Sequence, residues 1–182
     1  MKAIIIKFLI VATGFQFNLI PQIVDRFAEI HVRVKPEIYY LTTPDVSLQE
    51  AYLTNFMRFF KNLDKSFVHL ITNPWTLNGT GEYIAGIAPV CSKKLRAQES
   101  VSMSAFKSSK GNEDRTEHSI IAIVHELSHQ FCATHIDTSC NIMNSNALAC
   151  PDVANLKFEA KTIYQIRRGL NVALLKRKKN KK

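Results

Sequence analysis

The sequence predicts an α/β chain built on a twisted, mostly parallel sheet with an antiparallel edge strand. Two packing helices, a helix carrying paired histidines and a C-terminal helix complete it. Three observations lead there. Short β-branched runs alternate with amphipathic stretches in the order β-α-β-α-β, which builds parallel sheets with helices packed on them. A stretch containing Gly81, Gly86 and Pro89 follows, and proline confines a strand to a sheet edge. Apolar residues then recur at helical spacing on both sides of a histidine cluster.

Taken in order, Ala3 to Ala12 (AIIIKFLIVA) reads as a buried first strand. With Lys2 ahead of it, the segment 1–17 also has signal-peptide features. Lys7 interrupts its apolar run, however, and no small-x-small cleavage site follows. The run is too short to span a bilayer. Pro21 to Val34 reads as a helix with Ile23, Val24, Phe27 and Ile30 on one face and proline near its start. Glu37 to Thr42 reads as a strand. Leu48 to Leu63 reads as a helix anchored by Tyr52, Phe56, Phe59 and Phe60, and Ser66 to Thr72 as the next strand. In the edge segment, Tyr83, Ile84, Ala85, Gly86, Ile87 and Ala88 offer a backbone that an extended peptide can join as one more strand. Ser92 to Glu117 is polar and reads as a surface loop. Leu156 to Leu175 reads as a closing helix, with Ile163, Ile166, Leu170 and Leu174 aligned. The expected organisation is a single domain over 1–175 and a basic tail over 176–182.

Composition narrows the class. The chain has 182 residues, 46% hydrophobic and 21% charged, which suits one globular domain with a real core. Its net charge is +9, but six of the last seven residues are Lys or Arg, and removing them leaves about +3. The excess is therefore local: a solvated tail, or a contact for anionic glycans or a membrane surface. No helix-turn-helix, zinc-finger or RNA-binding pattern points to nucleic acid. Cys91, Cys132, Cys140 and Cys150 lack metal-binding C-x-x-C spacing and allow three disulfide pairings. Disulfides imply a secreted, extracellular setting. Asn78-Gly79-Thr80 is a glycosylation sequon. We expect a monomer.

The chemistry lies in His125-Glu126-Leu127-Ser128-His129-Gln130-Phe131-Cys132-Ala133-Thr134-His135. Histidines four apart share one helix face and can bind a single Zn²⁺. Glu126 stands beside the metal as a general base, and His135 completes a three-histidine set that leaves one position for water. Ile120, Ile121, Val124, Leu127 and Phe131 form the buried stripe of the same helix. Cys140-Asn141-Ile142-Met143-Asn144 follows a few residues on.

Together, HExxHxxxxxH and Met143 resemble the signature of the metzincin zinc proteases, in which a methionine turn lies under the metal-binding histidines. The segment G-x-A-x-x-C at residues 86–91 is similar to the cleft-edge strand of the adamalysin/reprolysin type. The resemblance implies a zincin-type α+β catalytic domain with one catalytic Zn²⁺ held by His125, His129 and His135. Met143 would form the methionine turn, and Glu126 would serve peptide-bond hydrolysis in extended protein substrates. Neither a propeptide cysteine nor a downstream module is visible, so the chain reads as a bare catalytic domain.

It departs from the pattern at Cys132, where the family has glycine to turn the chain with positive φ, and at Ile136. A Cys132–Cys140 disulfide would brace that turn. The resemblance supports Cys91–Cys150 as the other pair. The alternative function is a non-catalytic zinc-binding module that acts by partner binding. His31 and His69 are expected to be structural core residues, and His118 a polar residue of the loop before the histidine helix.

Overall fold

Ile4–Ile10 (β1), Leu19–Ala28 (α1), Val34–Tyr40 (β2) and Phe67–Thr72 (β3) open the chain in a computed structural model. The model describes residues 3–12, 15–16, 18–41, 47, 49, 67–73, 75–76, 83–90, 101–106, 109–110, 113–114 and 116–179. Most of the helix expected over 48–63, together with Asn78, Cys91 and the end of the basic tail, lies outside the described residues. Trp75–Thr76 (β4), Tyr83–Ile84 (β5), Gly86–Ile87 (β6), Val101–Ala105 (β7), Ser109–Lys110 (β8) and Glu113–Asp114 (β9) follow. Two long helices, Thr116–Gln130 (α2) and Ala160–Lys179 (α3), close the chain.

The main sheet has the order β2-β1-β3-β7-β6. Its strands are parallel except β6, which pairs antiparallel with β7 at the edge. This is the predicted architecture. The first strand is built from the run that also had signal-peptide features.

Strand alternation splits the sheet into two apolar faces. Ile4, Ile6, Phe8 and Ile10 of β1, with Phe67 and Ile71 of β3, face α1, α2 and α3 and share one core with Phe27, Phe131, Ile166 and Leu170. Leu9, Val68, Leu70, Val101, Met103 and Ala105 form the core of the opposite face.

The loop expected over 92–117 is corrected. Val101–Ala105 is a fully buried strand between β3 and β6. Its serines disguised it, because Ser102 and Ser104 lie on the face beneath α2, where polarity is used. Ser104 donates to Ala122 O at 3.4 Å. Ser102 Oγ lies 2.6 Å from His69 Nδ1, its register partner on β3. The Gln130 amide donates to Ser102 Oγ and to Val68 O, the latter at 3.0 Å. The His69–Ser102–Gln130 knot thus ties two strands to the end of α2. Leaving one such buried polar group unpaired costs about 1–3 kcal/mol, so the knot disfavours sliding of α2 over the sheet.

Helix α1 ends six residues earlier than expected, and the cause is local. His31 adopts φ 57°, with Val32 N–H donating to Phe27 O at 3.0 Å and His31 N–H to Ala28 O at 2.8 Å. This is a Schellman cap in which histidine takes the left-handed place usually given to glycine. His31 is exposed, not the core residue expected, whereas His69 is fully buried as expected. Arg26 joins α1 to its surroundings, bonding Ala154 O and pairing with Glu29 at 3.7 Å and Glu117 at 3.9 Å. Arg167 of α3 donates twice to Ile30 O, at 3.2 and 3.0 Å.

Burial lowers the His69 pKa from 6.5 to about 3. The unfolded chain therefore binds a proton that the folded chain refuses between those values, and stability falls as pH drops below 6.5. Urea unfolding at pH 7 and pH 5 should show a loss of up to about 1.4 kcal/mol per pH unit from this residue. A His69→Gln variant should show a shallower pH dependence; an unchanged slope would contradict the assignment.

Candidate metal centre and active-site cleft

Helix α2 presents His125 and His129 on one face, and both are nearly buried. The chain then reverses. Cys132 sits at φ 80°, Ala133 N–H donates to Ser128 O at 3.0 Å, and Cys132 N–H donates to His129 O at 3.0 Å. This second Schellman cap is the turn that glycine usually makes, here made by a fully buried cysteine. Left-handed backbone at a residue with a Cβ costs roughly 1–2 kcal/mol.

Packing and cross-linking hold the turn. Cys132 is disulfide-bonded, with its partner outside the described residues. Gly169 of α3 lies directly against it: a Cβ there would stand 2.5 Å from Phe131 O and 2.7 Å from Cys132 Sγ. Gln165 of α3 accepts from Thr134 N–H at 3.2 Å and donates to Thr134 Oγ1 at 3.0 Å. His135 thereby returns over the helix.

The pairing Cys132–Cys140 is corrected, and Cys91–Cys150 with it, because Cys140 bonds Cys150. Closing that short loop contributes about 2.5–3 kcal/mol in the chain-entropy model. The bridge braces the segment after the turn, while α3 and a separate disulfide brace the turn itself.

Nε2 of His125 lies 3.1 Å from Nε2 of both His129 and His135, and the latter two are 3.2 Å apart. A tetrahedral ion at 2.0–2.1 Å from each nitrogen needs about 3.3 Å between ligands. Backbone carbonyls fix the tautomers. His125 Nδ1 donates to Ile142 O at 2.7 Å and His129 Nδ1 to Ala133 O at 2.9 Å. Each Nε2 then carries a lone pair aimed at the common centre. Burial lowers the pKa of His125 and takes that of His129 to about 4, so both rings are neutral, as metal ligands must be. This donor set fits one zinc ion.

Met143 is fully buried, and the backbone of the turn that carries it holds the site. Ile142 O receives His125, while Met143 O accepts from Ile136 N–H at 2.9 Å, the residue after His135. Asn141, absent from the expected site, knots the turn: its amide donates to Ile136 O and Ser139 O at 2.9 Å each, and its Oδ1 accepts from Met143 N–H at 2.8 Å. Asp137 accepts from Ser145 N–H at 2.7 Å, a bond that holds its carboxyl below the usual range.

Glu126 is buried beside the histidines, and burial raises its pKa to about 8. A divalent cation next to it would favour the carboxylate again. Gly86 of β6 makes its place, since a Cβ there would lie 2.4 Å from Glu126 Cγ and 2.7 Å from Oε1. The sequence marked Gly86 only as part of an edge strand. The cleft, about 910 Å³, runs between residues 84–88 of that edge and residues 144–149, with His118, Ile121, His125, Glu126, His129 and His135 along its floor. His118 is thus corrected from loop residue to helix residue and cleft lining.

No family model and no curated protein matches the chain. Solved structures do match in fold. An archaemetzincin from Methanopyrus kandleri superimposes with TM-score 0.65 at 14% identity, covering 93% of this chain and 96% of that one. A zinc-dependent peptidase from Methanocorpusculum labreanum gives 0.54 at 17%, covering 89% and 99%. An archaemetzincin from Archaeoglobus fulgidus complexed with malonate gives the same values. The chain therefore has a metzincin-like zincin fold, and its donor set is a three-histidine centre fit for zinc. The narrower adamalysin/reprolysin likeness is not what these neighbours share with it.

Equilibrium dialysis with elemental analysis should find one zinc per chain, removed by a chelator and lost in His129→Ala. Gly169→Ala should lower unfolding free energy by about 1–3 kcal/mol, although alanine is the better helix former, because the methyl meets backbone that cannot yield.

Proposed function

We propose that the chain is a zinc-dependent endopeptidase of the metzincin type, cleaving extended peptides in the cleft beneath β6. One observation carries the reading: three Nε2 lone pairs converge within 3.2 Å, next to a buried glutamate beneath the strand that ends the sheet among the described residues. The description of one structural neighbour as a zinc-dependent peptidase supports it. His125, His129 and His135 would hold the zinc, which would supply Lewis acidity to lower the pKa of a water towards ~7 and to polarise a carbonyl. Glu126 takes the proton of the attacking water and passes it to the leaving amine nitrogen. Residues 83–88 receive the substrate backbone as an added strand, which fixes the scissile bond over the centre.

The departures that left room for a non-catalytic module, Cys132 and Ile136, are both accommodated: Cys132 takes the left-handed position and Ile136 N–H bonds Met143 O. We also read the Cys140–Cys150 bridge as pointing to an oxidising, extracytoplasmic setting. The adamalysin-type kinship rests on the order of elements and on residues 86–91.

Glu126→Gln should lower peptidase kcat/KM by at least about 100-fold while zinc stays at one equivalent, since Glu126 is not a ligand. Gly86→Ala should cost about 10- to 100-fold by displacing that carboxyl, again with zinc retained. A chelator-insensitive activity, or a fully active Glu126→Gln, would reject the mechanism.

A further inference from the structure

His118 has no part in the chemistry above, yet it lines the same cleft. It lies seven residues before His125, two helical turns along the same face and about 10 Å towards the start of α2. The same cleft has apolar lining in Ile121 of the helix, Ile84 of the edge, and Ala147 and Leu148 of the facing segment, beside the polar Asn144, Ser145 and Asn146.

Its two nitrogens differ. Nδ1 is sealed from solvent and has no hydrogen-bond partner among the described residues. A neutral imidazole carries one proton. Placing it on the sealed nitrogen would bury an orphaned N–H, the costlier choice, so the proton sits on Nε2. The ring therefore offers a donor to the cleft. The first turn of α2 adds the positive end of a helix dipole, and Glu117 next in sequence is engaged with Arg26.

We propose that His118 is a specificity-determining residue, which donates from Nε2 to an oxygen at the end of a long substrate side chain. The preferred residue beside the scissile bond is of the glutamine or glutamate class, its methylenes against the apolar walls and its oxygen on His118. The inference rests on the peptidase reading. Methionine has similar length and no such acceptor, so it is the discriminating competitor.

The test uses the zinc-loaded chain and a peptide pool with Gln, Glu, Met or Leu at each position near the cleaved bond, read by mass spectrometry. Wild type should prefer Gln or Glu over Met by about tenfold at one position. His118→Leu should remove or invert that preference, read as the ratio of Gln and Glu to Met cleavage within the same pool. Equal cleavage of Gln, Glu and Met peptides by wild type, or an unchanged ratio in His118→Leu, overturns the proposal.

A second readout does not depend on turnover. In zinc-loaded Glu126→Gln, the imidazole ¹⁵N shifts of His118 should report the Nε2–H tautomer and move on adding a Gln peptide but not its Met counterpart. If no peptide is cleaved, the peptidase reading fails, and the ¹⁵N shifts decide the His118 assignment by themselves. A proton on Nδ1, or no response to the Gln peptide, overturns it.

Discussion

Three nitrogen lone pairs brought within 3.2 Å of one another repel unless a cation sits among them. Much of the rest of the structure serves to hold that unfavourable arrangement ready. Ile142 O and Ala133 O take the outer N–H groups, so the rings cannot relieve the repulsion by turning. Asn141 fixes the turn that carries Ile142, and Gln165 and Gly169 fix the return that carries His135. Beneath, the buried knot of His69, Ser102 and Gln130 sets where α2 stops on the sheet, and thus where the turn begins.

The histidine set and Glu126 were legible because their chemistry needs specific residue types at fixed helical spacing. The β-α-β order was legible because β1 and β3 are apolar runs broken within only by Lys7 and His69. Strand β7 was not, since Val-Ser-Met-Ser-Ala is half polar and its serines spend their polarity on α2 and on His69 rather than on water. Both Schellman caps were hard to place for one reason: histidine and cysteine occupy the left-handed position, so no glycine marked the ends. Cys132 was singled out through a family resemblance, and His31 had no such aid.

Long-range contacts fall outside what a chain of letters can express. Gly86 and Gly169 look alike in sequence, one in a strand and one in a helix. Their roles appear only when the side chain or carbonyl that would meet a Cβ is known. The disulfides illustrate the same limit. Four cysteines allow three pairings, and a local argument about strain at Cys132 pointed to the wrong neighbour, because tertiary packing by α3 already supports that turn.

Cys140 and Cys150 pin both ends of a loop whose first residues hold His125 and whose later residues wall the cleft. The two halves carry different duties. Residues 141–143 brace the histidines, while 144–149 line the cleft and are tied back through Asn144 to Ser139 O, Ser145 to Asp137 and Ala147 to the core. One short bridged segment therefore sets both the brace of the centre and the shape of the cleft, so that a change at 144–149 alters what can enter while the Cys140–Cys150 bridge keeps the ends of the segment in place.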